Sequence, residues 1–167
     1  QADIRYSSSD IDDEDTINYT IFINNTFNIS TRANITDLSI GDGIYSLKVS
    51  AYDQVEYSLN STEIIFTKDS TPPVIMLESP GNDALLTSGG IMFMYNVSDL
   101  TELQNCSLFV NGGIILSTNS TRKYTSQNFT ASYSDGSYTW SINCTDSANN
   151  TGNSSLYTFT VKIPLPA

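Results

Sequence analysis

The chain repeats itself, and a repeat of this length limits it to two copies of one module. Asn18-Tyr-Thr-Ile-Phe-Ile-Asn24 aligns with Asn105-Cys-Ser-Leu-Phe-Val-Asn111. Asp42-Gly-Ile-Tyr-Ser-Leu-Lys-Val-Ser-Ala-Tyr-Asp53 aligns with Asp135-Gly-Ser-Tyr-Thr-Trp-Ser-Ile-Asn-Cys-Thr-Asp146, and Asn60-Ser-Thr-Glu-Ile-Ile-Phe-Thr67 with Asn153-Ser-Ser-Leu-Tyr-Thr-Phe-Thr160. A weaker match sets Tyr6-Ser-Ser-Ser-Asp10 against Tyr95-Asn-Val-Ser-Asp99. The order is the same in both copies. We expect one module over 1–68, a linker over 69–73 (Asp69-Ser-Thr-Pro-Pro73) and a second module over 74–167.

Every matched block alternates with a period of two, the mark of a half-buried strand. Cys106, Leu108 and Val110 fall on one face, and Asn105, Ser107 and Phe109 on the other. Tyr138, Trp140, Ile142 and Cys144 alternate with Thr139, Ser141, Asn143 and Thr145. In the first copy Tyr45, Leu47, Val49 and Ala51 take the inward row. No apolar spacing of three and four is sustained, so helices are not expected. Short alternating strands separated by turn residues predict an all-β chain of two antiparallel sandwiches. In the second copy the strands, lettered as in a sandwich, are A (74–78), B (91–97), C (106–111), E (128–133), F (138–145) and G (156–162). A short extra strand is expected near 113–117. Asp135-Gly136 supplies a positive-φ position before strand F.

Cys106 and Cys144 occupy facing positions on strands C and F, and their first-copy counterparts are Tyr19 and Ala51. Both cysteines are absent together from the first copy, as a bonded pair would be. A Cys106–Cys144 disulfide is expected, worth roughly 3–4 kcal/mol in the loop-entropy relation, and with it an oxidising compartment. The alternative is two buried thiols. No basic neighbours surround them to make a reactive pair.

Asn-X-Ser/Thr occurs at Asn18, Asn24, Asn28, Asn34, Asn60, Asn96, Asn105, Asn119, Asn128, Asn143, Asn149 and Asn153, which is 12 of 16 asparagines. Serine and threonine make up about a quarter of the chain, so chance supplies roughly four. N-linked glycans are therefore expected on an extracellular surface. Asn105 and Asn143 neighbour the cysteines and so belong to the opposite, solvent face. The alternative is a polar strand surface that carries no sugar.

Composition removes whole classes of function. The net charge is −11, with seven Lys and Arg in all, so no phosphate-tracking stripe can form and nucleic acid is not an expected partner. Histidine is absent, which takes away the commonest general base and the commonest zinc ligand. No apolar run reaches the ~18 residues of a membrane-spanning helix. No signal segment opens the chain, which reads as a mature protein or a fragment. Nearly all acidic residues are expected in loops or the linker, and no nucleophile motif is present, so an enzyme is not expected. Asp10, Asp12, Asp13, Glu14 and Asp15 crowd five carboxylates into six residues and are weak candidates for calcium. The run lacks the spacing and the glycine of a dedicated calcium loop; Asp53 and Asp69 are weaker candidates still. No other cofactor is expected. Phe22 and Phe109, matched and outward-facing, are candidates for packing under glycans, against the other sheet's edge or against a neighbouring subunit.

Asp135-Gly-Ser-Tyr-Thr-Trp, the 143–149 segment and the Asp-Ser-Thr-Pro-Pro-Val linker resemble the immunoglobulin-like or fibronectin-III-like repeats of microbial, particularly archaeal, surface proteins. The resemblance covers nearly the whole chain. It implies that Tyr45 and Tyr138 form the tyrosine corner of such sandwiches. It departs from antibody domains, because Leu47 and Trp140 stand where cysteine would, and the expected bridge joins C to F. Such repeats serve as stalks, surface-layer modules, adhesin arms or filament subunits.

Setting Tyr6 against Tyr95 puts Gln1 near the start of the first copy's strand B, so that copy is expected to lack its own strand A. An uncovered edge of this kind calls for a preceding segment, or for a strand donated by another subunit. The tail Lys162-Ile-Pro-Leu-Pro-Ala167 is a candidate donor. The expected partners are other copies of the chain or neighbouring domains. The reading that emerges is a building block of a cell-surface filament or layer, with a stalk or adhesin arm as the alternative.

Overall fold

The computed structural model describes residues 2–5, 17–32, 35–52 and 57–165, and those residues contain strands and no helix. The chain divides into two compact units, Gln1–Asp69 and Ser70–Ala167. The first contains β1 (Ala2–Arg5), β2 (Asn18–Ile23), β3 (Thr26–Thr31), β4 (Ile35–Leu38), β5 (Gly43–Tyr52) and β6 (Ile64–Lys68). The second contains β7 (Val74–Ser79), β8 (Ala84–Leu86), β9 (Gly90–Ser98), β10 (Leu103–Val110) and β11 (Gly113–Thr118). It continues with β12 (Gln127–Ser132), β13 (Gly136–Asp146), β14 (Thr151–Asn153) and β15 (Tyr157–Val161).

In the second unit one sheet runs β11-β10-β13-β15-β8, with β14 also on β13, and the other runs β12-β9-β7. The first unit has a sheet β3-β2-β5-β6 and a pair β1-β4. Register shows that these are the same fold. Tyr19 faces Ala51 where Cys106 faces Cys144. Ala2 faces Leu38 where Ile91 faces Ala131. Even the bulges match, between Ile21 and Phe22 on β2 and between Leu108 and Phe109 on β10.

Alternation becomes burial most fully on the central strands of the second unit. Trp140, Ile142 and Cys144 on β13 and Cys106 and Leu108 on β10 are inaccessible to solvent. Phe93 from the other sheet packs against Trp140 and Phe159, with ring centroids at 5.1 and 5.6 Å. The Cys106–Cys144 disulfide lies in this core between directly facing residues. Among the described residues the buried Trp140 indole N–H and Tyr133 hydroxyl find no hydrogen-bond partner.

Small polar devices recur in both units. Asn24 and Asn111 have φ of 50° and 49°, and each closes a hairpin by extending the ladder with its side chain. Ser46 N donates to Asn24 Oδ1 at 2.9 Å, and Thr139 N to Asn111 Oδ1 at 2.9 Å. Val49 N donates to Ser61 Oγ and Ile142 N to Ser154 Oγ, at 3.0 and 2.9 Å. The Tyr45 and Tyr138 hydroxyls donate to the Gly41 and Ser134 carbonyls, at 3.1 and 3.2 Å, so both tyrosine corners are formed. Gly43 and Gly136 have positive φ, and a Cβ at either would lie 3.2 Å from the hydroxyl of the tyrosine two residues on. The Asp-Gly-X-Tyr pattern thus serves the ring as well as the turn.

The structure corrects several expectations. β8 pairs with β15 in parallel, so the second sandwich is not antiparallel throughout. Neither β8 nor β14 was anticipated, because three residues are too few to show a period. Val49 and Ala51 are half-buried rather than core, while Ser50 is buried. The described layer opposite their sheet has two strands, against three in the second unit. Phe22 and Phe109 are half-buried rather than fully exposed. Each sits between two strands, with Lys48 beside Phe22 and Ile114 and Ser141 beside Phe109, and such cross-strand neighbours cover part of a ring.

Replacing both cysteines with alanine removes a bridge spanning 38 residues. We expect a loss of about 4 kcal/mol, read as an earlier denaturant midpoint for the second unit alone. Tyr138→Phe deletes one hydrogen bond and should cost about 1 kcal/mol in the same measurement.

Candidate functional site

The residues singled out from the sequence go to three places. The first lies beyond view: Asp10, Asp12, Asp13, Glu14 and Asp15, together with Asp53 and Asn34, fall outside the described residues. The carboxylates that the second unit does bring together are Asp99 and Asp146, both buried, with oxygens within 4.8 Å of one another. Asp99 Oδ1 accepts from Thr101 N and Oγ1, at 2.9 and 3.1 Å. Asp146 accepts from Asn150 N and Nδ2, at 2.8 and 2.9 Å. These are bonds by which a carboxylate shapes its own loop. Sequence reasoning missed the burial of Asp146, because it depends on neighbours distant along the chain.

The second place is the outer surface. None of the eleven described sequon asparagines is buried. Asn24, Asn28, Asn60, Asn119, Asn128, Asn149 and Asn153 are exposed, and Asn18, Asn96, Asn105 and Asn143 are half-buried. In a strand, residues i and i+2 share a face, so each strand sequon places its asparagine and its hydroxyl side by side outside. Those hydroxyls bond across strands: Thr20 with Ser30 at 3.2 Å, Ser107 with Ser117 at 2.8 Å and Thr145 with Thr151 at 3.1 Å. Pairs of this kind contribute a few tenths to about 1 kcal/mol each. Four asparagines use their carbonyl oxygen and leave the amide nitrogen directed elsewhere. Asn18 accepts from Arg32, Asn24 from Ser46 N, Asn149 from Gln104 and Asn153 from Asn143. In that last bond Asn143 Nδ2 is the donor, at 2.8 Å.

The third place is the pair of edges where the units differ. In the second unit one segment crosses from sheet to sheet. β7 pairs antiparallel with β9, and β8 pairs parallel with β15. Phe159 faces Ala84 across the second seam and is 1% exposed. In the first unit, no strand among the described residues pairs with the free edge of β1 or of β6. Phe66 stands where Phe159 stands, opposite Tyr45 as Phe159 is opposite Tyr138, and is only half-buried. Ile64 and Ile65 beside it are 57% and 65% exposed. The first two residues of the tail are engaged within the second unit: Lys162 N donates to Leu86 O at 2.8 Å and Ile163 N to Asp135 Oδ1 at 2.8 Å.

Between β11 and β12, the sheets of the second unit part in a groove of about 460 Å³, lined by Tyr95, Phe129, Leu116, Arg122, Gln127 and Asn128. Tyr95 and Phe129 stack at 5.6 Å. Burial disfavours the phenolate and pushes the Tyr95 pKa up to about 12. The groove holds no pair of titratable groups suited to proton transfer.

No protein-family model matches the chain, and no curated protein sequence matches it. Among solved structures it is similar to the fibronectin(III)-like modules of Clostridium thermocellum CbhA. That match has a TM-score of 0.48 and 18% identity, and covers 56% of this chain and 100% of that one. It is also similar to the central fibronectin-III array of RIM-binding protein, with a TM-score of 0.36, 11% identity, and 98% of this chain against 64% of that one. A third is SGBP-B of the Bacteroides ovatus mixed-linkage glucan utilization locus, solved with a mixed-linkage heptasaccharide. Its TM-score is 0.31, with 15% identity over 97% of this chain and 63% of that one. The chain thus spans under two thirds of the latter two.

The raised pKa of Tyr95 sets the sign of one pH effect. The unfolded phenol ionises near its ordinary value of 10 and the folded one near 12. The stability this protects is fully present below pH 10 and is lost as pH rises toward 12. Tyr95→Phe should therefore lose less stability than the parent chain between pH 10 and 12, as read by denaturant unfolding.

Proposed function

We propose that this chain is a non-catalytic structural building block of an extracellular, N-glycosylated filament or surface layer, and that its first unit is completed by a strand from a neighbouring module. One observation carries this reading. The two units share register, bulges and tyrosine corners, yet the second fills with β7 and β8 the two edges that lack a described partner in the first. An unpaired edge is a template for a further strand, and strand addition is a common mode of recognition between modules. The segment that suits the vacancy has the chemistry of residues 74–86, with inward Ile75 and Leu77 on one sheet and Ala84 and Leu86 on the other. Head-to-tail addition is heterologous and produces an open polymer.

The outward rows support an extracellular setting. The disulfide belongs to an oxidising compartment, and eleven sequon asparagines stand clear of the core. No helix among the described residues is long and apolar enough to cross a membrane. The acidic surface keeps subunits apart except where edges meet.

Electron microscopy of the purified chain tests the reading. We expect regular polymers, and Ile65→Lys, which sets a charge on the β6 edge, should disperse them while leaving the second unit's unfolding midpoint unchanged. Monomers at every concentration would reject the filament and favour a stalk or adhesin arm.

A further inference from the structure

The outer face of the three-stranded sheet in the second unit carries a row of apolar side chains on β7 and β9. All three methionines of the chain lie on β7 and β9. Along β9, Met92, Met94 and Asn96 alternate with the buried Ile91, Phe93, Tyr95 and Val97. Along β7, Val74 and Met76 alternate with Ile75 and Leu77. Met76 is 69% exposed and Met92 is 51% exposed, with Val74 exposed and Met94 half-buried beside them. Leu85 adjoins Met92 through a groove of about 340 Å³. A single exposed apolar residue needs no explanation. A contiguous set on a flat sheet marks a surface that something covers.

The strand register indicates what covers it. Asn96 is the direct cross-strand partner of Met76, and Asn128 is the direct partner of Met94. Each heads a sequon, Asn96-Val-Ser98 and Asn128-Phe-Thr130. Directly facing residues have Cβ atoms about 5 Å apart, which is contact distance for the first ring of an N-linked sugar. Neither side-chain amide makes a hydrogen bond among the described residues, in contrast to the Asn143–Asn153 pair. A pyranose has an apolar C–H face, and methionine is an unbranched, polarizable side chain that fits irregular partners.

We infer that the chain's own sugars on Asn96 and Asn128 lie over Met76, Met92 and Met94 and are the cover of this face. This rests on the glycoprotein reading above and adds to it which sugars have a structural task. The sugars exclude water from the methionine row and keep a flat, apolar sheet face from stacking on another chain.

Methionine oxidation provides the test. The naturally glycosylated chain is compared with N96Q/N128Q, with S98A/T130A, which removes both sequons but keeps both asparagines, and with N143Q as a control. Each is exposed to dilute hydrogen peroxide, and sulfoxide at the three methionines and sugar at each sequon are measured by peptide mass spectrometry. Thermal melting confirms that each variant is folded. We expect oxidation to be several-fold slower in the parent chain and in N143Q than in either double variant. Equal rates with Asn96 and Asn128 occupied would overturn the inference and leave the glycoprotein reading standing. Sugar elsewhere but not on these two would do the same. A chain bare at every sequon would overturn both. Protection that survives the double variants and grows with protein concentration would assign the face to a second copy instead.

Discussion

The antiparallel ladder between the two central strands of each unit, β2 with β5 and β10 with β13, sets everything around it. Its register places Tyr19 opposite Ala51 and Cys106 opposite Cys144, and a slip of one residue would turn every inward side chain out. Because register is held, Leu108, Trp140 and Ile142 share one core with Phe93 from the other sheet, and Asn105, Ser107 and Asn143 lie on the outer face. The disulfide reinforces this ladder in the second unit. In the first, the same position is filled by Tyr19, buried without a covalent link.

From that ladder the two units diverge in what closes them. Fourteen buried residues form the core of the second, and three form the described core of the first. The difference is seated in β7 and β8, which seal opposite edges of the sandwich with one crossing segment. Burying a side chain the size of phenylalanine stabilises by roughly 1.5–3 kcal/mol. Among the described residues Phe66 is half-buried where Phe159 is sealed, so the second unit gains more from this position.

The outer faces follow a similar logic. In a strand, Asn at i and Ser or Thr at i+2 are neighbours on one face, so a polar outer row both satisfies itself through hydroxyl pairs and presents sequons. On the three-stranded sheet methionines stand in the outer row, and the sequons at Asn96 and Asn128 lie directly across from two of them. Electrostatics add little: three ion pairs are found among the described residues, and in each at least one partner is partly exposed.

Much of this was legible in the residues. The repeat located both modules, the period of two separated inner from outer rows, and the paired absence of cysteines from the first copy matched a bond between them in the second. Other features were not legible. β8 is too short to have a period, and its parallel pairing depends on Phe159, 75 residues away from Ala84. The burial of Asp146, the half-cover of Phe22 and Phe109 and the engagement of Lys162 and Ile163 likewise depend on remote strands. Sequence by itself determined which side chains share a face, because alternation is a local property of the extended backbone. Only the tertiary structure decided which faces and edges are covered, because cover comes from residues that the chain brings back from far along its length.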